Sequence, residues 1–370
     1  MTTFPSDLPA SRVRLPETVR RGTLRSRAAR QQVGSPGELV AALPGLLGFH
    51  PRASVLAVAL RGPTRHIELV VRSDLPDPRP DPERLDDFAT HLVAALMRAA
   101  PDAAAIVVVP EEHVEPDGDP PWSAAVTALT ERLREVGIPL HSALWASGTR
   151  AGDTLGCYER CRCRDEVPQG AAGAFAAGAA LGGIVVHDDR EALLELVEPV
   201  DPLRLEHREQ LIAAAIDQYA ATGGAPEPST GWAVVAEALA DAARGTLTID
   251  DERAVALAVA LGSTEVVGAA IVRMAVLARE GAEQERAAAE QLWAALTRES
   301  PEPEAAAAAS LLAVSALLRG DGALANVALD RAEEAWPGYL LSSRLRAVAA
   351  LGVRPEEFRD GVLSSFIGRW

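Results

Sequence analysis

The stretch from Gly34 to Leu60, GSPGELVAALPGLLGFHPRASVLAVAL, constrains this chain more than any other. Leu39, Val40, Leu43, Leu46 and Leu47 recur at helical spacing, with Ser35-Pro36 supplying a cap and a first-turn proline. Pro44 lacks an N–H and crowds the carbonyl of Val40, so it is expected to bend or end that helix. The chain then turns through Gly48-Phe49-His50-Pro51. It enters Ser54 to Leu60, a run too short and too β-branched for a second helix. Gly62 and Pro63 mark a hairpin connection into a strand from Ile67 to Arg72, which makes the first two strands antiparallel neighbours.

Further along, Leu85, Phe88, Leu92 and Leu96 fix an amphipathic helix, and Ile106 to Val109 suits a strand buried on both faces. Trp122, Val126, Leu129, Leu133 and Val136 space out another helix. Pro139 to Ser147 reads as a strand, with Asp153 to Tyr158 as its hairpin partner. Alternation of strand and helix implies a mixed, largely parallel α/β sheet with antiparallel edge strands.

From about Asp188 strand signals almost vanish. Helices are expected at 190–197, 203–221, 232–244, 251–261, 264–279, 283–298, 304–319, 323–336, 339–351 and 356–366, with Gly or Pro at most boundaries. Ala305 to Leu318 carries no charge and is too short to span a membrane, so it is expected to be buried on every side. Counting back from Pro337, Ala332, Leu329, Ala325, Gly320 and Leu312 occupy the small, bulky and turn positions of a tetratricopeptide hairpin. A second register holds Pro301, Leu296, Trp293 and Ala289. The second half therefore reads as all-α and partly tetratricopeptide-like. The organisation expected is an Arg-rich, disordered arm over 1–33, an α/β domain over 34–187 and an α-helical domain over 188–370, since 370 residues exceed one usual core.

Charge narrows the partners. All 36 basic residues are arginine, and the formal net charge is −16. The absence of lysine removes Schiff-base chemistry and the Walker-type phosphate loop. Residues 1–33 hold Arg12, Arg14, Arg20, Arg21, Arg25, Arg27 and Arg30 against Asp7 and Glu17, leaving the remainder still more acidic. So acidic a body repels phosphate backbones, which leaves the arm as the part suited to nucleic acid. The arm shows no apolar signal segment, and the uncharged Val167 to Val186 stretch is too rich in Ala and Gly for a membrane span. With an odd number of cysteines, 3, the expected setting is a reducing cytoplasm.

Several residues carry possible chemistry. Cys157, Cys161 and Cys163 form C-x3-C-x-C, one ligand short of a zinc tetrahedron unless His141 or His187 completes it. A redox or disulfide role and a turn with incidental thiols are the other readings, and Arg150, Arg160, Arg162 and Arg164 would favour thiolate if they approach. His50 at the helix-to-strand turn suits an acid, base or ligand. In the plainer reading Gly48 supplies a special backbone angle, Phe49 plugs the core and His50 caps exposed groups. Ligands gather beyond the carboxyl ends of parallel strands, which nominates Asp74, Glu111, Glu112, His113, Ser147 and Arg150. Of these, Asp74, Glu111 and His113, with His50, are the candidate catalytic set, although Pro110 to Pro121 also reads simply as a solvated acidic run. Since the hairpin reverses the first strand, the Gly48–Pro51 turn is expected at that same edge. Asn326, the only asparagine, is a candidate partner-binding residue or an ordinary exposed helix residue. No Gly-rich phosphate fingerprint follows a strand and no G-x-S-x-G occurs.

SPGELVAALPGLLGFHPRASVLAVALRG, Arg72-Ser73-Asp74-Leu75-Pro76, the cysteine cluster before Pro168 and Gly170, and LLRGDGALANVALDRAEEAWPGY together resemble the actinobacterial family called domain of unknown function 4192. The likeness runs from about Val33 to Phe358 and implies kinship without an activity. Taken together, the sequence favours a binding or scaffold protein for a protein or small-molecule ligand over an enzyme. It calls for no cofactor beyond the possible zinc and for no membrane.

Overall fold

The computed structural model describes residues 22–24, 34–63, 65–77, 81–111, 120–159, 163–170, 186–222, 224, 227–351 and 353–367. Helix α1 (Pro36–Leu47) begins on Ser35, whose Oγ accepts from the Glu38 N–H at 3.2 Å. Glu38 reaches back to the Gly34 N–H at 2.7 Å, close to a reciprocal capping box. Pro44 lies inside this helix and does not end it. Burial of nearly every residue from Leu39 to Leu47 outweighs the hydrogen bond that Pro44 cannot make to Val40. The helix closes one turn later, where Gly48, at φ 78°, donates to the Pro44 carbonyl.

Seven strands form one sheet in the order β1-β3-β2-β4-β5-β6-β7. They are β1 (Gly22–Leu24), β2 (Ser54–Arg61), β3 (His66–Asp74), β4 (Ala103–Val109), β5 (Leu140–Ala146), β6 (Thr154–Cys157) and β7 (Arg164–Glu166). Among the paired strands of the described residues, only β4 and β5 run parallel, so the sheet is mixed and not largely parallel. The reason is a single insertion: β2 lies between β3 and β4 and runs antiparallel to both. β3 and β4 therefore share a direction without touching, and the strand-helix-strand pattern between them does not make a parallel pair. Gly22–Leu24, within the arm expected to be disordered, pairs antiparallel with β3.

One sheet face carries Val55, Ala57, Leu69, Val71, Ile106, Val108 and Trp145 against α2 (Pro82–Met97) and α3 (Ser123–Glu135). The opposite face carries Leu56, Val58, Val70, Val107, Val109 and Leu144 against α1. That second apolar cluster continues without a break into the helical half through Leu193, Val235, Trp293, Leu312 and Leu329. The helices there are α4 (Arg190–Leu194), α5 (Pro202–Thr222), α6 (Pro228–Arg244), α7 (Asp251–Leu261), α8 (Thr264–Glu280), α9 (Glu283–Glu299), α10 (Ala305–Arg319), α11 (Gly322–Ala335), α12 (Leu340–Leu351) and α13 (Pro355–Ile367). Helix α10, uncharged up to its last residue Arg319, is buried along almost its whole length, because it packs between α9 and α11. Among the described residues no single helix is long and apolar enough to cross a membrane. Most of the Val167 to Val186 stretch lies outside the described residues.

Candidate functional site at the sheet edge

The amino end of β2 and the carboxyl ends of β3 and β4 meet in register: Ser54 pairs with Asp74 on one side and with Val109 on the other. The Gly48–Pro51 turn therefore sits at the edge expected from the sequence, beside the residues that follow β3, β4 and β5. Phe49 is buried. His50 donates its backbone N–H to the His187 carbonyl at 3.1 Å, and His187 donates to the Gly48 carbonyl at 2.7 Å. This short parallel bridge ties the turn to the segment leading into α4.

His50 is half-buried, and its Nδ1 lies 2.8 Å from the Thr149 Oγ1. Burial, reinforced by the Arg150 guanidinium, lowers the imidazole pKa from its ordinary value, while Asp188 and Asp153 pull against that shift. The neutral ring is thereby favoured. Arg150 pairs with Asp188 at 2.6 Å, and both side chains are largely exposed, at 57% and 83%. That bond also holds the Asp188 carboxyl below the usual carboxylate range. The loop carrying Thr149 and Arg150 is closed by the Asp153 carboxylate, which accepts from the Arg150 N–H at 2.6 Å, and by Ser147, whose Oγ accepts from the Thr154 N–H at 3.1 Å.

Next to this group, Arg72 is buried in β3. Its Nε donates to the Ser54 Oγ at 2.9 Å and its guanidinium pairs with Asp74 at 2.6 Å. Burial lowers the guanidinium pKa from its ordinary value, with Arg190 adding to the shift and Asp74 and Glu191 opposing it. Asp74 is thus committed to an ion pair within its own strand. Glu111 is exposed just beyond β4. Glu112 and His113 lie outside the described residues, so the catalytic grouping of His113 with Asp74 and Glu111 has no geometry to report.

The structure brings to this edge Thr149, Asp188 and Ser54, which the sequence left unmarked, together with Arg72 and with His187, which the sequence named only as a zinc ligand. Arg72 belonged to the family-like RSDLP string, and Thr149 follows a strand inside a Ser-Gly-Thr loop, but neither spacing announces a partner 18 or 99 residues away.

Cys157 and Cys163 face one another across the β6–β7 pairing with their sulfurs 2.9 Å apart. Cys161 lies outside the described residues. His141 is engaged with Arg65 at 2.7 Å, and the backbone of His187 is stitched to the β2 turn. Among the described residues no three His, Cys, Asp or Glu side chains gather as a metal-ligand set. Asn326 donates its side-chain amide to the Gly322 carbonyl, 2.7 Å away in its own helix α11. That is the capping and self-bonding habit of a short polar side chain.

A family model described as Domain of unknown function (DUF4192) matches residues 36–356. The chain belongs to that family. No curated protein and no solved structure matches it. The match begins at the first residue of α1 and ends at the start of α13, so it covers the sheet edge, the cysteine pair and nearly all of the helical half of this DUF4192 chain.

Proposed function

We propose that this chain is a ligand- or protein-binding module that recognises an anionic group, a carboxylate or phosphate, at the sheet edge formed by His50, Arg150 and Asp188. The observation that carries this reading is the exposed Arg150–Asp188 pair beside a half-buried imidazole. An ion pair so open to water contributes little, so an incoming anion exchanges with Asp188 at small cost. The guanidinium fork suits bidentate capture. Three separate segments converge there, which fixes the position of the donor group before a ligand arrives. Thermal-shift measurements against a panel of carboxylate and phosphate metabolites test it. Ligands that stabilise the wild type are expected to lose that effect in Arg150→Ala, and persistence of every shift in the variant overturns the reading.

An enzymatic reading, a metal-assisted hydrolase among its forms, is favoured by one observation, the His50–Thr149 hydrogen bond, which pairs a neutral imidazole with a hydroxyl. Against it, Thr149 is only 2% exposed and hard for a substrate to reach. The helical half fits the same binding role through tetratricopeptide-like stacking. The small and bulky positions Ala289, Trp293, Leu296, Leu312, Ala325, Leu329 and Ala332 are all buried, which supports that packing; a scaffold role in a reducing cytoplasm belongs to the same proposal. Association of nucleic acid with the Arg-rich arm predicts binding that disappears on removal of the arm.

A further inference from the structure

From the geometry of β6 and β7 we infer that Cys157 and Cys163 are a peroxide-oxidisable dithiol that closes to a reversible disulfide. Gly156 pairs with Arg164 in the β6–β7 register, so the next position sets Cys157 directly opposite Cys163. The Cys157 N–H donates to the Cys163 carbonyl at 3.1 Å. A directly opposed, hydrogen-bonded antiparallel pair holds its Cα atoms about 5.5 Å apart. That separation lies inside the range of about 4.4–6.8 Å that a disulfide bridges without moving the backbone. The two sulfurs are already in contact at 2.9 Å. Ring closure from this state orders almost nothing new, because the hairpin and both side chains already hold the bridged arrangement.

The two thiols are also unequal in the way a two-step oxidation requires. Cys163 is exposed and Cys157 is buried. Hydrogen peroxide reaches Cys163: its thiolate attacks one peroxide oxygen, an S–O bond forms, the O–O bond breaks, and the departing hydroxide takes up the thiol proton as water. The Cys157 thiolate then attacks the sulfenic sulfur, forming the S–S bond and breaking the S–O bond, and the second hydroxide leaves as water with the second thiol proton. Two thiols give up two electrons and one peroxide becomes two waters. A thiol reductant reverses the bridge by exchange.

The loop that carries Arg150 is bound to the same hairpin. The Val167 N–H donates to the Asp153 carbonyl at 2.8 Å and the Gly152 N–H donates to the Val167 carbonyl at 3.0 Å. Bridging β6 to the segment before β7 therefore fixes strands that brace the sheet-edge loop.

The test uses the full chain, wild type and Cys161→Ser, exposed to a small excess of hydrogen peroxide and then alkylated under denaturing conditions. Tryptic cleavage releases Cys161-Arg162 and Cys163-Arg164 as identical dipeptides, so the wild type supplies the thiol count and the variant supplies the assignment. Titratable thiols of the wild type, 3 in the reduced chain, are expected to fall to one. The variant is expected to lose both of its thiols and to yield peptide 151–160 linked to Cys163-Arg164, with full recovery after dithiothreitol. Thiols that survive, a Cys163 driven to sulfinic or sulfonic acid without a link, an intermolecular bridge, or a retained stoichiometric zinc that shields both sulfurs each overturn the inference.

Discussion

His50 and Thr149, 99 residues apart, share a 2.8 Å hydrogen bond that fastens the entry of β2 to the loop after β5. The burial of the ring at this junction sets a pH dependence. Burial lowers the folded-state pKa of His50 below its ordinary 6.5. The unfolded chain then binds more protons than the folded one as pH falls through 6.5, and folding stability falls with it. The contribution is fully present above that value and is lost at lower pH. The wild type is expected to lose more of its melting temperature between pH 7 and 5 than His50→Gln does. His141, also lowered by burial and by Arg65, titrates in the same direction in both proteins and cancels from the comparison. Parallel pH profiles for the two proteins would contradict this account.

The Arg72–Asp74 pair is asymmetric. Arg72 is 8% exposed, whereas the Asp74 side chain is 50% exposed. Losing Arg72 leaves a carboxylate that water can solvate, while losing the Asp74 charge leaves a buried guanidinium short of its partner. Asp74→Asn is therefore expected to cost about 2 kcal/mol and Arg72→Met about 1 kcal/mol, both discounted for the exposure of Asp74. Urea denaturation midpoints at constant slope decide the order, and the reverse order would refute the argument.

How much of this could be read from residues alone divides along the range of the interaction. The helices from Arg190 onward were legible, because 3.6-residue periodicity and Gly or Pro boundaries are local. The turn was legible too: Gly48 does adopt a left-handed angle and Phe49 does fill the core. Strand order was not. Whether β4 pairs with β3 or slides past it to pair with β2 depends on which apolar faces meet, and Val58, Val70 and Val107 look equally fit for either neighbour. Pro44, expected to bend or end α1, does not end it for a related reason, since tertiary burial overrides a local breaker. At the site, the edge shared by His50 and Asp74 followed from the hairpin, but the partners Thr149, Asp188 and His187 come from loops whose placement no spacing records.

Arg208 offers a test of how the helical half is joined. This buried α5 residue donates to the Asp251 carboxylate at 2.8 Å, the Ile249 carbonyl at 2.7 Å, and both the carbonyl and the carboxylate of Glu299, at 2.7 and 2.6 Å. Three separate points of the chain, at α5, before α7 and at the end of α9, thus depend on one guanidinium. Arg208→Met is expected to cost about 2 kcal/mol, because it leaves the part-buried Ile249 and Glu299 acceptors unpaired. Arg208→Lys should recover less than half of that, since a single ammonium cannot reach acceptors spread over a fork. Full rescue by lysine, seen in chemical denaturation, would mean that charge alone matters here.

Gly37 sets two effects against each other. It lies in the first turn of α1 with an ordinary helical backbone, where alanine is intrinsically favoured by about 1 kcal/mol. A Cβ there, however, would stand 2.8 Å from the Pro168 Cδ and 3.2 Å from the Glu166 carbonyl oxygen. Neither neighbour is the loose end of a flexible side chain, so the contact must be relieved by shifting α1 away from the β7 segment. Overpacking of that kind costs about 1–3 kcal/mol. The clash is expected to win: Gly37→Ala should lower stability by about 1 kcal/mol, opposite in sign to its helix propensity. Gly137→Ala is a useful contrast, because nothing lies within 4 Å of its added Cβ and only its φ of +78° opposes the change. If crowding against Pro168 is the cause, Pro168→Ala should restore much of the loss in Gly37→Ala and none in Gly137→Ala, a double-mutant comparison of melting temperatures that separates packing from backbone strain.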